Sequence, residues 1–164
     1  MEQKLHGVTA IGNIPKHPGG CAVLSLPARQ GEFPRLHSFL ESWAAGIQLP
    51  EHPKEQLLIA ADEIFANIAA YAYQPGDGEV RIEAACNFSG RYVTLTFTDR
   101  GVPFDPLSGA DPDIAAPLAE RRIGGLGIFV VKKLMDKVEY RRENGCNILT
   151  LTKRFGSGED APCG

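Results

Sequence analysis

Leu57-Leu58-Ile59-Ala60-Ala61-Asp62-Glu63-Ile64-Phe65-Ala66-Asn67-Ile68-Ala69-Ala70-Tyr71-Ala72-Tyr73 is apolar on almost every side of a helix. A helix of that kind is buried on more than one face. Its polar exceptions include Glu63 and Asn67, whose i, i+4 spacing puts them on one face, one turn apart. A carboxylate and an amide inside such a helix cost free energy unless something satisfies them. A bound metal and a reacting hydroxyl would do so. A structural hydrogen-bond pair, with Asp62 as a cap or solvated neighbour, would do so equally well, and this segment alone leaves both readings open.

Pro50 and Pro53 punctuate the entry to this helix, and Gln74-Pro75-Gly76-Asp77-Gly78 forms the turn after it. Upstream, Leu36, Phe39, Leu40 and Trp43 recur at i, i+3, i+4, i+7 and predict an amphipathic helix over 33–45, stopped by Gly46. That stripe is core in preference to interface, and His37 beside it is a surface residue. Cys21–Leu26 reads as a strand ended by Pro27. Downstream, Glu79–Cys86 and Arg91–Thr98 alternate apolar and polar residues about the Asn87–Gly90 turn, as an antiparallel hairpin does. A helix is expected over Leu126–Lys137. Strands are expected at Lys137–Arg142 and Asn147–Phe155, around the hairpin signal Asn144-Gly145. One apolar sheet face then needs helices over it. The expected class is α+β: a two-layer α/β sandwich with helices on one face of a mixed, largely antiparallel sheet.

The chain has 164 residues and a formal net charge of −3, which suits one domain with a sizeable core and no extended basic surface. Direct nucleic-acid and membrane partners are therefore not expected. No apolar run reaches membrane-span length, and Met1–Ala10 lacks a signal-peptide core, so the expected location is cytoplasmic. Cys21, Cys86, Cys146 and Cys163 form no C-x-x-C pair and do not cluster with the histidines. They are expected as free thiols, with Cys86 and Cys146 in the core. The expected organisation is a variable extension over 1–20, a folded domain over 21–155 and a disordered tail over 156–164.

Two further segments bear chemistry. Asp99-Arg100-Gly101 ends a strand: Asp99 could accept a hydrogen bond from an exocyclic amine, and Gly101 would let a flat ring approach the backbone. A plain strand-ending turn is the simpler alternative. Gly124-Gly125-Leu126-Gly127 opens a helix, where free N–H groups and the helix dipole favour an anion. A flexible hinge with close packing is the alternative. The run lacks the Lys-Ser/Thr of a P-loop, and Val130 stands where a dinucleotide fingerprint needs its third glycine. Between these segments, Val102–Arg122 holds four prolines, Pro103, Pro106, Pro112 and Pro117, and no clear periodicity. A loop of that length in a compact domain is usually functional or mobile.

Together, Glu63-x-x-x-Asn67, Asp99-x-Gly101 and Gly125-x-Gly127 resemble in order and spacing the N box and two Gly boxes of the ATP-binding superfamily that includes gyrase, histidine kinases and MutL. The loop before Gly124 looks like that superfamily's ATP lid. Asp62–Tyr73, Phe97–Pro106 and Gly124–Lys133 are most similar to the bacterial anti-sigma-factor serine/threonine kinases, over roughly Cys21 to Phe155.

The resemblance implies a Bergerat-type fold using ATP and Mg²⁺. Asn67 would be the Mg²⁺ ligand, and Glu63 the general base or orienting group for the attacking hydroxyl. Asp99 would read adenine with Gly101 giving the base room. Gly125 and Gly127 would let the lid and helix start close on the phosphates. Arg121 and Arg122 are candidates for phosphate or partner contact, against the alternative of a solvated charged lid. The implied partners are a sigma factor and an anti-anti-sigma antagonist of the STAS type, with homodimerisation usual for the family. The rival reading is a non-catalytic module that regulates a partner by contact, with or without nucleotide. An ATPase without a protein substrate is a third possibility.

Overall fold

A computed structural model describes residues 20–109 and 125–156. The extension before Gly20, the tail after Gly156, Cys163, Gly124, Arg121 and Arg122 lie outside the described residues, as does most of the proline-rich loop.

The elements are β1 (Ala22–Pro27), α1 (Phe33–Gly46), α2 (Glu51–Asn67), β2 (Glu79–Asn87), β3 (Tyr92–Asp99), α3 (Leu126–Leu134), β4 (Lys137–Glu143) and β5 (Cys146–Arg154). The five strands form one sheet in the order β1-β2-β3-β5-β4. All four pairings are antiparallel, so the expected mixed character reduces to antiparallel pairs among the described strands. The inward residues Leu26, Val80, Ile82, Val93, Leu95, Phe97 and Leu151 are at most 1 % exposed. They meet Leu36, Leu40, Leu57, Ile64, Phe65 and Val131 from the helices in a single core cluster. This is the two-layer arrangement that a sheet with one apolar face requires.

The stripe of α1 is core, as its spacing requires: Leu36, Phe39, Leu40 and Trp43 are all buried. The Trp43 indole N–H donates to the Gly20 carbonyl at 2.7 Å, satisfying the polar end of a buried ring. Phe33 meets Phe65 edge to face at 5.1 Å and joins α1 to α2. His37 and Asp62 join the same helices through a 2.7 Å contact, both side chains partly exposed. Ahead of α1, the Glu32 carboxylate is buried and accepts from Arg29 and Arg35. Nothing in the sequence pattern marked that glutamate as internal.

Several expectations shift. The third helix ends at Leu134, because Met135 is extended and buried and turns the chain into β4. Arg91 has φ +52° and belongs to the turn, so β3 begins at Tyr92. Cys146 is half-buried instead of core, at the hairpin end of β5, with its thiol 3.9 Å from the Asn144 carbonyl. Cys86 is buried, and burial pushes its thiol above the ordinary value. No described helix is long and apolar enough to cross a membrane.

Candidate nucleotide-binding site

The segment that opened the sequence reading does not run as one α-helix. α2 ends at Asn67, and Ile68–Ala72 continues it as a π-helical turn. Short π segments widen the helical spiral, and they occur frequently at functional sites. Asn67 stands at the junction. Beyond it, Ile68, Tyr71 and Ala72 line a cleft together with Ile64 and Asn67 from α2. The opposite wall comes from the sheet and the turn after β3: Phe97, Asp99, Val102, Pro103, Phe104, Tyr140, Asn147 and Leu149, with Ile128 of α3 at one side. The lining is mostly apolar with a few polar groups, as small-molecule sites usually are.

The structure therefore brings Asn67 and Asp99, thirty-two positions apart in sequence, into one cleft. Glu63 lies one turn before Asn67, half-buried, against the start of α3: a Cβ added at Gly127 would overlap its Oε2. Gly127 is thus the reason a carboxylate can sit against that helix start. Among the described residues neither Glu63 nor Asn67 has a hydrogen-bond or ion-pair partner. The structural pair that the sequence left open is therefore not formed. Asn67 on the cleft wall and Glu63 one turn before it, both half-buried and without a side-chain partner among the described residues, suit ligands from outside the chain.

Gly125 and Gly101 serve differently. Gly125 precedes α3 with φ +88°, left-handed backbone that favours glycine. Among the described residues nothing lies within 4 Å of where its Cβ would be. Gly101 is packed against Ala72 of the π turn, 2.7 Å from the Ala72 carbonyl carbon to the position of an added Cβ. The adjacent Val102 N–H donates to the Ala72 carbonyl at 2.8 Å. Its missing side chain therefore lets the π turn dock on the end of β3. Neither glycine is among the residues lining the cleft.

Asp99 is buried, 6 % exposed, and held from two directions. Gly101 N–H donates to its Oδ1 at 2.8 Å, and the Asn147 side-chain amide donates to the same oxygen at 2.9 Å. Its Oδ2 has no hydrogen-bond partner among the described residues. An oxygen left over on a buried carboxylate in a cleft can accept from a ligand amine. Asn147 was not singled out in the sequence, where it reads as an ordinary residue after a hairpin turn. Tyr73, at the end of the apolar segment, carries no signal of its role in sequence. Its hydroxyl accepts from the Arg100 N–H at 2.8 Å and donates to the Glu79 carbonyl at 2.6 Å, bracing the same strand end.

A family model described as histidine kinase-like ATPase domain matches residues 26–153. The serine/threonine-protein kinase BtrW of Bordetella bronchiseptica is 33% identical over 96 residues, 58% of this chain and 67% of that protein. The serine-protein kinase RsbW of Halalkalibacterium halodurans is 29% identical over 108 residues, 60% of this chain and 61% of that protein. The chain thus spans about two thirds or less of the length of these curated relatives. The fold is similar to a crystal structure of the RsbU and RsbW domains of a Mycobacterium tuberculosis protein. There the TM-score is 0.58 at 18% identity, over 82% of this chain and 32% of that one.

Proposed function

This chain belongs to the histidine kinase-like ATPase domain family, and on that premise we propose that it is an Mg-ATP-dependent protein-serine/threonine kinase that also acts as an anti-sigma factor. The observation that carries the reading is the meeting of Asn67 and Asp99 in one apolar cleft, with Glu63 one turn away and its side chain unpartnered among the described residues. The serine-kinase names of the relatives support the same activity.

The donor set fits the group it would hold. Asn67 offers a neutral amide oxygen, and Mg²⁺ sites of this kind combine few protein ligands with phosphate oxygens and waters. Asp99 offers one carboxylate oxygen, suited to the amine of adenine, and the apolar cleft suits the flat base. Bound Mg²⁺ would neutralise phosphate charge, the chief electrostatic need of phosphoryl transfer. Glu63 would orient the acceptor hydroxyl and take its proton. Gly125, Gly127 and Arg122 are assigned to the phosphate side.

The protein substrate would be a STAS-type anti-anti-sigma antagonist, and the second partner a sigma factor held inactive by contact. The bound nucleotide and the antagonist's phosphorylation state would choose between them. A homodimer in the cytoplasm is the proposed working form. The test is transfer from γ-labelled ATP, in Mg²⁺, to STAS proteins encoded in the same genome. Phosphoserine or phosphothreonine on one of them, lost with Glu63→Gln while ADP still binds, is the expected result. Nucleotide binding without transfer to any would leave a contact regulator and remove the kinase.

A further inference from the structure

One row of residues crosses the sheet at the cleft. Asn147 of β5 is the register partner of Asp99 on β3 and of Arg142 on β4. Asn147 is buried, 6 % exposed, with every polar position of its amide used. Its Nδ2 donates to Asp99 Oδ1 and to the Val102 carbonyl, each at 2.9 Å. Its Oδ1 accepts from Arg142 Nη1 at 2.7 Å, from the Tyr140 hydroxyl at 2.9 Å and from the Phe104 N–H at 3.4 Å. The amide cannot be turned over. A guanidinium and a backbone N–H only donate, and a carboxylate and a carbonyl only accept. Asn147 therefore has no donor left for a ligand. The same Arg142 nitrogen also donates to the Gly101 carbonyl at 3.3 Å, across the Asp99–Gly101 turn.

We propose that Arg142 is a positioning residue for base selection: acting through Asn147, it holds the Asp99 carboxylate in one orientation, leaving Oδ2 alone to meet a nucleobase. This rests on the reading of the cleft as an adenine-nucleotide site. Arg142 itself touches the amide and the turn and does not line the cleft. Its effect is on selectivity. Adenine presents an amino donor where hypoxanthine presents a carbonyl, and hypoxanthine carries an N1–H beside it. A fixed acceptor oxygen meets the first and repels the second. A carboxylate free to turn can reach the N1–H and accept either base.

The measurement is the ratio of IDP to ADP dissociation constants by calorimetry, for wild type, Arg142→Met and Arg142→Lys. Because both nucleotides see the same folded fraction, the ratio cancels any loss of stability. Wild type is expected to prefer ADP by at least about a hundredfold, since a site built to hydrogen-bond its ligand can reject an analogue lacking the donor by up to roughly 10⁴–10⁵. Arg142→Met should lower that preference by about tenfold, the worth of a lost charged hydrogen bond. Both bonds come from one nitrogen, so the lysine ammonium should restore the ratio to within about threefold of wild type. A preference in Arg142→Met within about twofold of wild type, or one that lysine leaves as low as methionine does, overturns the inference alone. Wild type that binds neither nucleotide overturns the adenine reading and the inference with it.

Discussion

Gly101→Ala isolates the contact that docks the π turn on β3. A Cβ at this position would overlap the Ala72 carbonyl oxygen and lie 2.6 Å from the Ala72 Cβ. Backbone cannot swing aside as a flexible side chain can, so the strand end and the π turn must separate. Overpacking of this kind costs about 1–3 kcal/mol. The Val102 N–H bond to the Ala72 carbonyl, 2.8 Å in the native chain, is then stretched or lost, at about 1 kcal/mol. Against this, alanine lowers unfolded-chain entropy, worth about 0.4–1 kcal/mol in its favour. The net expectation is a loss of about 2 kcal/mol, or a fall in Tm of about 4–8 °C for a chain of this size. Ala72 lines the cleft, so ADP affinity should fall too. Gly46→Ala is the control: it ends α1, and among the described residues nothing lies within 4 Å of its Cβ position. There the helix preference for alanine should give no loss and up to about 1 kcal/mol of gain. Thermal unfolding of both variants decides. A Gly101→Ala protein as stable as wild type would refute the packing argument, as would a Gly46→Ala protein equally destabilised.

Other substitutions separate the roles within the site. Asp99→Asn should shrink the upward Tm shift produced by Mg·ADP, a shift worth about 2.7 kcal/mol at a hundredfold excess over Kd; an undiminished shift would take Asp99 out of base reading. Asn67→Ala should remove the Mg²⁺ dependence of nucleotide affinity, so calorimetry with and without Mg²⁺ would give one Kd in place of two. Gly127→Ala presses a methyl group onto Glu63 Oε2 and should depress phosphoryl transfer at least tenfold, with ADP affinity changed far less. Glu32 gives a pH test: hydrogen bonding from Arg35, with Arg29, holds its carboxyl below the ordinary value of 4.5 against the opposing effect of burial. A folded-state pKa below the unfolded one stabilises above the unfolded value and is lost as pH falls through the folded one. The urea midpoint of wild type should therefore exceed that of Glu32→Gln at pH 7, and the two should converge on acidification below about 4.

Local pattern carried much of the architecture. Period-two alternation in Val80–Ala84 and Val93–Phe97 depends on one buried face, and that face is what the helices cover. The i, i+3, i+4, i+7 stripe of α1 is legible for the same reason: its four large residues all point one way into the core. Strand order was not legible, because pairing β5 between β3 and β4 is decided by which apolar rows fit together and not by any one segment. The π turn after Asn67 was hidden as well. Ile68–Ala72 is as good an α-helix former by composition as the residues before it. Its last residue, Ala72, packs against Gly101 and accepts from the Val102 N–H, contacts with a distant segment that composition does not show.

For the candidate site, Glu63, Asn67, Asp99 and the glycines stood out only in combination: each segment alone left a structural alternative open, and their order and spacing, through the family resemblance, joined them into one proposed site. The chain itself could not name Asn147, Tyr140 or Arg142. An asparagine after a hairpin turn and an arginine on an edge strand are ordinary at the level of sequence. They become a clamp on Asp99 only when antiparallel pairing sets β3, β5 and β4 side by side in register. Short-range periodicity determines which residues face inward. Which of those residues meet across the sheet depends on contacts between distant segments, and only the tertiary structure decides them.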